Sequence, residues 1–208
     1  MTRAYYIERI LRQIYGGYVR DDSTITTNLV NGWLNDAIAY AAKQNYKEAI
    51  ALEGIGYVNN GFYSTFKGIP VVEDERFTWK IELPQIPLGI GRNEGISTLK
   101  FKSSDGQISL PCIPVTEAQA SYFQTMRPLE GKVIYKYENS SAYAYTPIDL
   151  SGYTAQVTMV SGGDSSDLTS KINVPDDYFP FVTDYIQKQL MIERSQPQDT
   201  ANDGADIK

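Results

Sequence analysis

The chain contains no histidine among its 208 residues. Histidine is the only side chain that titrates near neutral pH without perturbation, and it is the commonest metal ligand and general base. Its absence excludes Ser-His-Asp and Cys-His catalytic arrangements and His-ligated zinc or iron sites. The single cysteine, Cys112, excludes an internal disulfide, and with no histidine to lower its pKa we expect a packed, inert thiol.

Long apolar runs and positive charge are also scarce. No stretch approaches the ~20 apolar residues needed to span a bilayer, and residues 1–6 lack the apolar core of a signal peptide. We therefore expect synthesis in the cytoplasm and no membrane partner. Nineteen Lys and Arg against 25 Asp and Glu give a formal net charge of −6. This balance opposes a protein that grips nucleic acid and favours protein partners.

Tyrosine is abundant, with 16 residues. A tyrosine side chain combines a large apolar ring with a polar tip, which suits half-wet contacts between proteins. Tyrosine is also common on the strands of antiparallel β-proteins. Composition alone leaves both explanations open.

Hydrophobic periodicity predicts helices at both ends of the chain. The first ends before the pair Gly16-Gly17, and the second begins at an N-cap near Ser23 and ends near Glu48. A third begins after Pro175 and ends before Pro197. The apolar positions with helical spacing are Ile7, Ile10, Leu11 and Ile14 in the first helix and Phe181, Val182, Tyr185, Ile186 and Leu190 in the last.

Between the second and third helices the period falls to two residues, which predicts β-strands. The predicted strands are Phe77 to Leu83, Leu99 to Phe101, Ile108 to Leu110, Lys132 to Glu138 and Tyr153 to Val160. The dipeptide Asp105-Gly106 predicts a hairpin turn. Residues 143–147 suit an edge strand or a loop. A capping box from Thr116 to Gln119 predicts a short inserted helix that ends near Gln124.

These elements predict an α+β fold with four regions. Residues 1–53 form an N-terminal helical pair, and residues 54–172 form an antiparallel β-rich middle, either a sandwich or a partly open barrel. Residues 173–195 form the C-terminal helix. Residues 196–208 form an extended acidic tail whose polar composition is typical of segments that become ordered on a partner.

Motifs for chemistry are weak. Residues 89–95 have the wrong glycine spacing for a dinucleotide loop, and no helical pattern follows them. The acids of 73–75 and 164–167 suit solvated, irregular segments better than a cation site. A glycan hydrolase needs two acids about 5 to 10 Å apart in a cleft, and no convergent pair is evident. We therefore predict no enzyme, no cofactor, no metal and no catalytic residues.

The candidate functional residues are contact residues. The first twenty residues carry a charge of +3, which suits either a solvated helix face or docking onto an acidic partner. The candidate partner-docking residues are Arg3, Arg9, Arg12, Tyr185, Gln198, Asp199, Asn202 and Asp203. The candidate subunit-contact residues are Tyr135, Tyr137, Tyr143 and Tyr145.

An ordered set of short motifs runs through nearly the whole chain. They are Trp33-Leu34-Asn35-Asp36-Ala37 with Asn45-Tyr46, Phe62-Tyr63-Ser64-Thr65-Phe66 with Gly68-Ile69-Pro70, Leu83-Pro84-Gln85-Ile86-Pro87 with Gly95-Ile96, Pro128-Leu129-Glu130-Gly131-Lys132-Val133 with Tyr135, Val174-Pro175-Asp176-Asp177, and Asn202-Asp203-Gly204. In these motifs and their order the chain resembles the ring, or head-to-tail adaptor, proteins of crAss-like short-tailed bacteriophages.

That resemblance implies a structural role in the virion. Such proteins form rings, typically of twelve copies, below the portal protein, extend the channel through which double-stranded DNA passes, and dock the next ring or tail protein. The resemblance brings no catalytic residues and implies no sequence-specific DNA binding. The alternative function is a carbohydrate- or protein-binding β-module of a virion surface or adhesion protein, in which Trp79 and exposed tyrosines stack on sugars.

Overall fold

The computed structural model describes residues 1–17, 25–75, 77–90, 95–116, 119, 132–138 and 140–195. The helices in these ranges are α1 (Arg3–Tyr15), α2 (Thr27–Glu53) and α3 (Phe179–Ser195), with one 3-10 turn at Asn60–Phe62. The strands are β1 (Tyr63–Pro70), β2 (Val72–Glu75), β3 (Thr78–Glu82), β4 (Ile96–Ser103), β5 (Ser109–Pro114), β6 (Val133–Glu138), β7 (Ser141–Tyr145) and β8 (Tyr153–Val160). The predicted α+β class is confirmed. The predicted tail and most of the inserted helix lie outside the described residues.

The helix ends follow local sequence signals. Helix α1 stops where Gly16 adopts the left-handed conformation with φ 68°, as the glycine pair predicts. Helix α2 begins at Thr27 because the Thr26 hydroxyl accepts the Leu29 N–H, so the predicted start near Ser23 is wrong. Its predicted end near Glu48 is also wrong, because strong helix formers continue to the left-handed Gly54.

The eight strands form one curled sheet, a half-barrel, in the order β1-β8-β4-β5-β6-β7-β3-β2. All neighbours are antiparallel except β5 and β6, which run parallel with Cys112 opposite Val133. The predicted antiparallel β-rich middle is therefore observed with one exception, because a long connection between β5 and β6 lets this one pair run parallel. Of the two predicted β-architectures, the partly open barrel is the one observed.

Local β-signals are confirmed in part. The hairpin between β4 and β5 turns at Gly106, which has φ 72° and donates its N–H to Ser103 O at 2.9 Å. Strand β7 lies between β6 and β3, so the expectation of an edge strand or loop is wrong, because its buried Ala142 and Ala144 pack inside the half-barrel. The acids of 73–75, predicted to be irregular, lie in strand β2. The capping box is present: Gln119 N–H donates to the Thr116 hydroxyl and the Gln119 side chain accepts the Thr116 N–H.

The described residues form two large apolar cores and a small third cluster of Val115, Ile134 and Tyr145. The helical layer, formed by α1, α2 and α3, surrounds one core, and the half-barrel surrounds the other. Asn45 of α2 donates to the Tyr178 hydroxyl at 2.8 Å, and Asn173 donates to Tyr63 O at 2.9 Å. The first contact connects α2 to the segment before α3, and the second connects the segment before α3 to strand β1.

Candidate partner-binding surfaces

Arg3 lies inside the molecule rather than on its surface. Its side chain is 0% exposed and donates to Asn35 Oδ1 at 2.8 Å and to Asn31 O at 2.7 Å; it also bonds the Asn31 amide oxygen and Gly162 O. Burial lowers the Arg3 pKa, opposed by the nearby charge of Asp164. The prediction that Arg3 docks a partner is wrong, because its guanidinium joins α1, α2 and the segment after β8.

Arg9 and Arg12 lie on the outer face of α1, and both are paired within the chain. Arg12 Nη2 lies 2.5 Å from Glu8 Oε1, and Arg9 Nη1 lies 3.6 Å from Asp176 Oδ1. The Arg9 guanidinium also lies 4.0 Å from the centre of the Phe179 ring. Exposed ion pairs contribute little and are easily exchanged, so Arg9 and Arg12 remain usable by a partner. Both of the interpretations given to this basic segment, a solvated helix face and a docking surface, stay open.

Two shallow grooves border α3. The first, of 420 Å³, lies between α1 and α3 and is lined by Arg9. The second, of 410 Å³, is lined by Tyr185, whose half-buried ring centre lies 5.4 Å from that of Tyr40. The structure thus brings Arg9 to the start of α3 and places Tyr185 in a different groove. The predicted tail residues Gln198, Asp199, Asn202 and Asp203 lie outside the described residues.

The four strand tyrosines divide into two pairs. Tyr135 and Tyr145 are 3% and 8% exposed, so the prediction that they contact another subunit is wrong: both rings pack within the chain. Burial raises the pKa of Tyr135 to about 12. Tyr137 and Tyr143 are half-buried, and Lys136 Nζ lies 5.8 Å from the centre of the Tyr143 ring. Only this second pair retains surface for a neighbour.

An exposed apolar surface lies at the carboxyl end of α2. We call it the apolar tip, and it consists of Ile50, Leu52, Ile55 and Tyr57. Leu52 is 84% exposed and Ile55 is 67% exposed. The Tyr57 hydroxyl donates to Glu53 Oε1 at 2.9 Å, and the loop packs so closely that a Cβ on Gly56 would lie 2.4 Å from the Tyr46 ring. The tip is therefore held in place while its side chains face water.

A second exposed surface is a groove of 560 Å³ beside β2, β3 and the loop that follows β7. We call it the acidic groove, because the charged side chains among the described residues that line it are Glu73 and Asp149. Phe77 at its rim is 51% exposed and has a φ of 66°, which is rare for a residue with a side chain. Trp79 is 6% exposed, and its Nε1–H has no acceptor among the described residues. The apolar residues that line the acidic groove are Val71, Val72, Phe77, Trp79, Pro147 and Ile148.

Three side chains that could take part in chemistry, Cys112, Asp149 and Asp164, are held by burial or by hydrogen bonds within the chain. Burial raises the pKa of the Cys112 thiol, so the thiol is protonated at neutral pH. Hydrogen bonds from Ser151 and Ser166 lower the pKa values of Asp149 and Asp164. Within the part of the chain that the structure describes, no group of three or more Cys, Asp or Glu side chains could hold a metal ion. No helix in the same part is long and apolar enough to cross a membrane.

Compared with known proteins, the chain matches no family model and no curated protein.

The apolar tip and the acidic groove were missed by the sequence-based reasoning. One signal was present for the tip: Ile50 lies off the buried stripe of α2 formed by Leu34, Ile38 and Ala42. Leu52 lies on that stripe, five turns after Leu34, so its spacing gives no sign of its exposure. An apolar residue off the buried face near a helix end is a candidate contact residue. The groove left no comparable signal, because its walls come from segments separated by about 70 residues in the chain.

Proposed function

We propose that this chain is a structural subunit of a phage head-to-tail connector ring. Copies of it assemble side by side below a portal protein, extend the DNA channel and offer a surface to the next ring or tail protein. The observation that carries this proposal is the presence of two unlike exposed surfaces, the apolar tip and the acidic groove. A ring built from identical subunits needs two different, complementary faces on each copy.

The motifs that carry the resemblance support the proposal, because several of their residues make contacts between segments that are distant in the chain. Asn45 Oδ1 accepts the Asn59 N–H at 2.7 Å. The side chain of Gln85 bonds the Ser161 hydroxyl. At Gly95 an added Cβ would lie 2.3 Å from Leu88 O, so only glycine fits there without movement.

Charge also supports a channel role. With a net charge of −6, the chain does not favour a tight, salt-dependent hold on phosphates. A subunit that guides DNA must let it slide, so double-stranded DNA is a passing partner in this proposal. The site of action is the virion, at the tail or portal vertex, after synthesis in the host bacterial cytoplasm.

The proposal is tested by the mass and symmetry of the native particle. Native mass spectrometry and electron microscopy of the full chain, alone and mixed with the portal protein of the same phage, should show a closed ring. The resemblance sets the expected size at about twelve copies, and closure requires that the contact rotation divide the circle. A chain that stays monomeric in both conditions overturns the proposal.

The alternative is a carbohydrate- or protein-binding β-module, and burial of Trp79 weakens the case for its carbohydrate-binding form. A sugar stacks on an exposed aromatic face, whereas Trp79 is 6% exposed. A stable monomer with measurable affinity in a glycan-binding assay would reverse this preference.

A further inference from the structure

The strands of the half-barrel divide into two groups of opposite charge. Strands β1, β8, β4 and β5, which are neighbours in the sheet, contain three lysines and no Asp or Glu. Strands β6, β7, β3 and β2 contain two lysines and five acids. In a chain with a net charge of −6, the first group is a local excess of positive charge. Its three lysines are Lys67, Lys100 and Lys102.

The register of the strands brings these lysines together. Lys100 lies opposite Gln156. Lys102 lies opposite Thr154. On the other side of β8, the bulge in β1 leaves Lys67 opposite Gln156 as well. Because neighbouring strands are about 4.8 Å apart, Lys67 and Lys100 stand roughly 10 Å apart across β8.

The three lysines project away from the core of the half-barrel. Alternate residues of a strand lie on opposite faces of a sheet. In β4 the lysines alternate with Leu99 and Phe101, which are buried in that core. Lys67 is exposed and follows Phe66, which packs against the same core. We call the outer surface with these lysines the basic face, and its other side chains are Thr65, Thr98, Thr154, Gln156 and Thr158.

The ammonium groups of the basic face are available to an anion from outside the chain. None of its three lysines forms an ion pair with a carboxylate of the described residues, whereas Lys136 of β6 lies 3.2 Å from Glu138. Between Lys67 and Lys100, the Gln156 Oε1 atom accepts no hydrogen bond from any described residue. Neither lysine is therefore folded back onto the amide that separates them.

The chemistry of the basic face fits phosphate. Lysine, threonine and glutamine side chains contact phosphate oxygens in protein–DNA complexes. Protein interfaces are depleted of lysine and enriched in aromatic side chains, and elements that lie on membranes bury an apolar face. The basic face has no aromatic ring on which the bases of a single strand could stack. These properties favour the backbone of a duplex over a protein, a membrane or a single strand.

We propose that the basic face contacts the phosphate backbone of double-stranded DNA. The proposal rests on the connector function, in which DNA passes each copy, and it names the surface that meets the DNA. Each lysine pairs with one phosphate, and no base is read because phosphates are alike in every sequence. Three such pairings weaken binding about 40-fold between 50 and 200 mM salt. A hold of this kind is weak and lets the DNA slide.

The test compares two triple variants with the same change in net charge. The first removes the basic face, and the control removes three exposed lysines of α2 and α3. Circular dichroism and urea unfolding check that both variants fold, and the single variant Lys67→Gln, at an exposed position, serves if the first triple variant does not. The two sets are Lys67→Gln, Lys100→Gln and Lys102→Gln, and Lys43→Gln, Lys47→Gln and Lys188→Gln.

Fluorescence anisotropy with a short labelled DNA duplex measures binding across a salt series. The wild-type chain and the control should show a slope of log affinity against log salt near −2.7, which is about −0.9 for each of three phosphates. The basic-face variant should bind at least tenfold more weakly at 50 mM salt, with little salt dependence. Lys67→Gln alone should reduce the slope by about 0.9.

Four results would overturn the assignment of this face to duplex DNA. They are no binding of the duplex by the wild-type chain at 50 mM salt, equal losses in the two triple variants, tighter binding of single-stranded DNA or polyglutamate than of the duplex, and loss of ring formation in the folded basic-face variant. The last result would make the face a subunit contact.

Ring formation separates this inference from the connector function. Sedimentation velocity with the portal protein should show rings for the wild-type chain and for both triple variants. If the wild-type chain forms rings but does not bind the duplex, the connector function stands and the DNA contact is overturned. If it binds the duplex through the basic face but stays monomeric with the portal protein, the DNA contact stands and the connector function is overturned.

Discussion

At the residue scale, Arg3 is the clearest case of a charged side chain that stabilises the fold. Arg3→Met keeps an unbranched side chain of similar length but leaves the carbonyls of Asn31 and Gly162 and the amide of Asn35 without a donor. We expect the free energy of unfolding in urea to fall by roughly 3 kcal/mol. The control Arg12→Met, at an exposed ion pair, should change it by less than about 0.5 kcal/mol. Equal losses in both variants would contradict the assigned role of Arg3.

The raised pKa of Tyr135 predicts that the folded chain loses stability at alkaline pH. Its folded-state pKa is about 12 against 10.0 for the ordinary phenol, so the unfolded chain loses this proton first. The stabilisation is complete below pH 10 and disappears as the pH rises towards 12. Tyr135→Phe should reduce the fall in unfolding free energy across this window by about 2–3 kcal/mol, measured by urea titration at several pH values. An unchanged slope in the variant would show that burial of the phenol is not responsible.

At the scale of elements, the seam between the helical layer and the half-barrel depends on close approach at Gly162. A Cβ added to Gly162 would lie 2.0 Å from Asn35 Oδ1, the atom that accepts from Arg3. Gly162→Ala should therefore force α2 and the segment after β8 apart and lower the unfolding free energy by about 1–3 kcal/mol. Gly152→Ala is the matched control, since nothing lies within 4 Å of its added Cβ. Thermal unfolding of the pair checks this, and similar melting temperatures would contradict it.

At the scale of the whole molecule, the C-terminal tail is tested by a chain that ends at Ser195. Its polar composition is typical of segments that order on a partner, and we expect its removal to weaken docking onto the portal protein. Portal affinity is measured by sedimentation or surface binding, with full-length Asp199→Asn plus Asp203→Asn separating charge from length. A truncated chain that assembles and docks with unchanged affinity would remove the tail from the proposed contacts.

The sequence by itself determined the features that depend on residues a few positions apart. Helix α1 ends at Gly16, the β4–β5 hairpin turns at Gly106, and α3 ends before Pro197, because caps, turns and periodic stripes are local. The α+β class follows from the same patterns. The start of α2 was missed because Thr26 and Ser23 are both acceptable N-caps by sequence, and its end was missed because strong helix formers continue to Gly54.

Only the tertiary structure decided which side chains reach the surface. Arg3 is buried because it meets Gly162, 159 residues away, and β7 is an inner strand because β3 and β6 enclose it. For the same reason Tyr135 and Tyr145 pack inward while Leu52 and Ile55 remain exposed. Exposure depends on contacts between distant parts of the chain, which local spacing does not encode. The two proposed ring faces therefore emerged only once the strands and helices were in place.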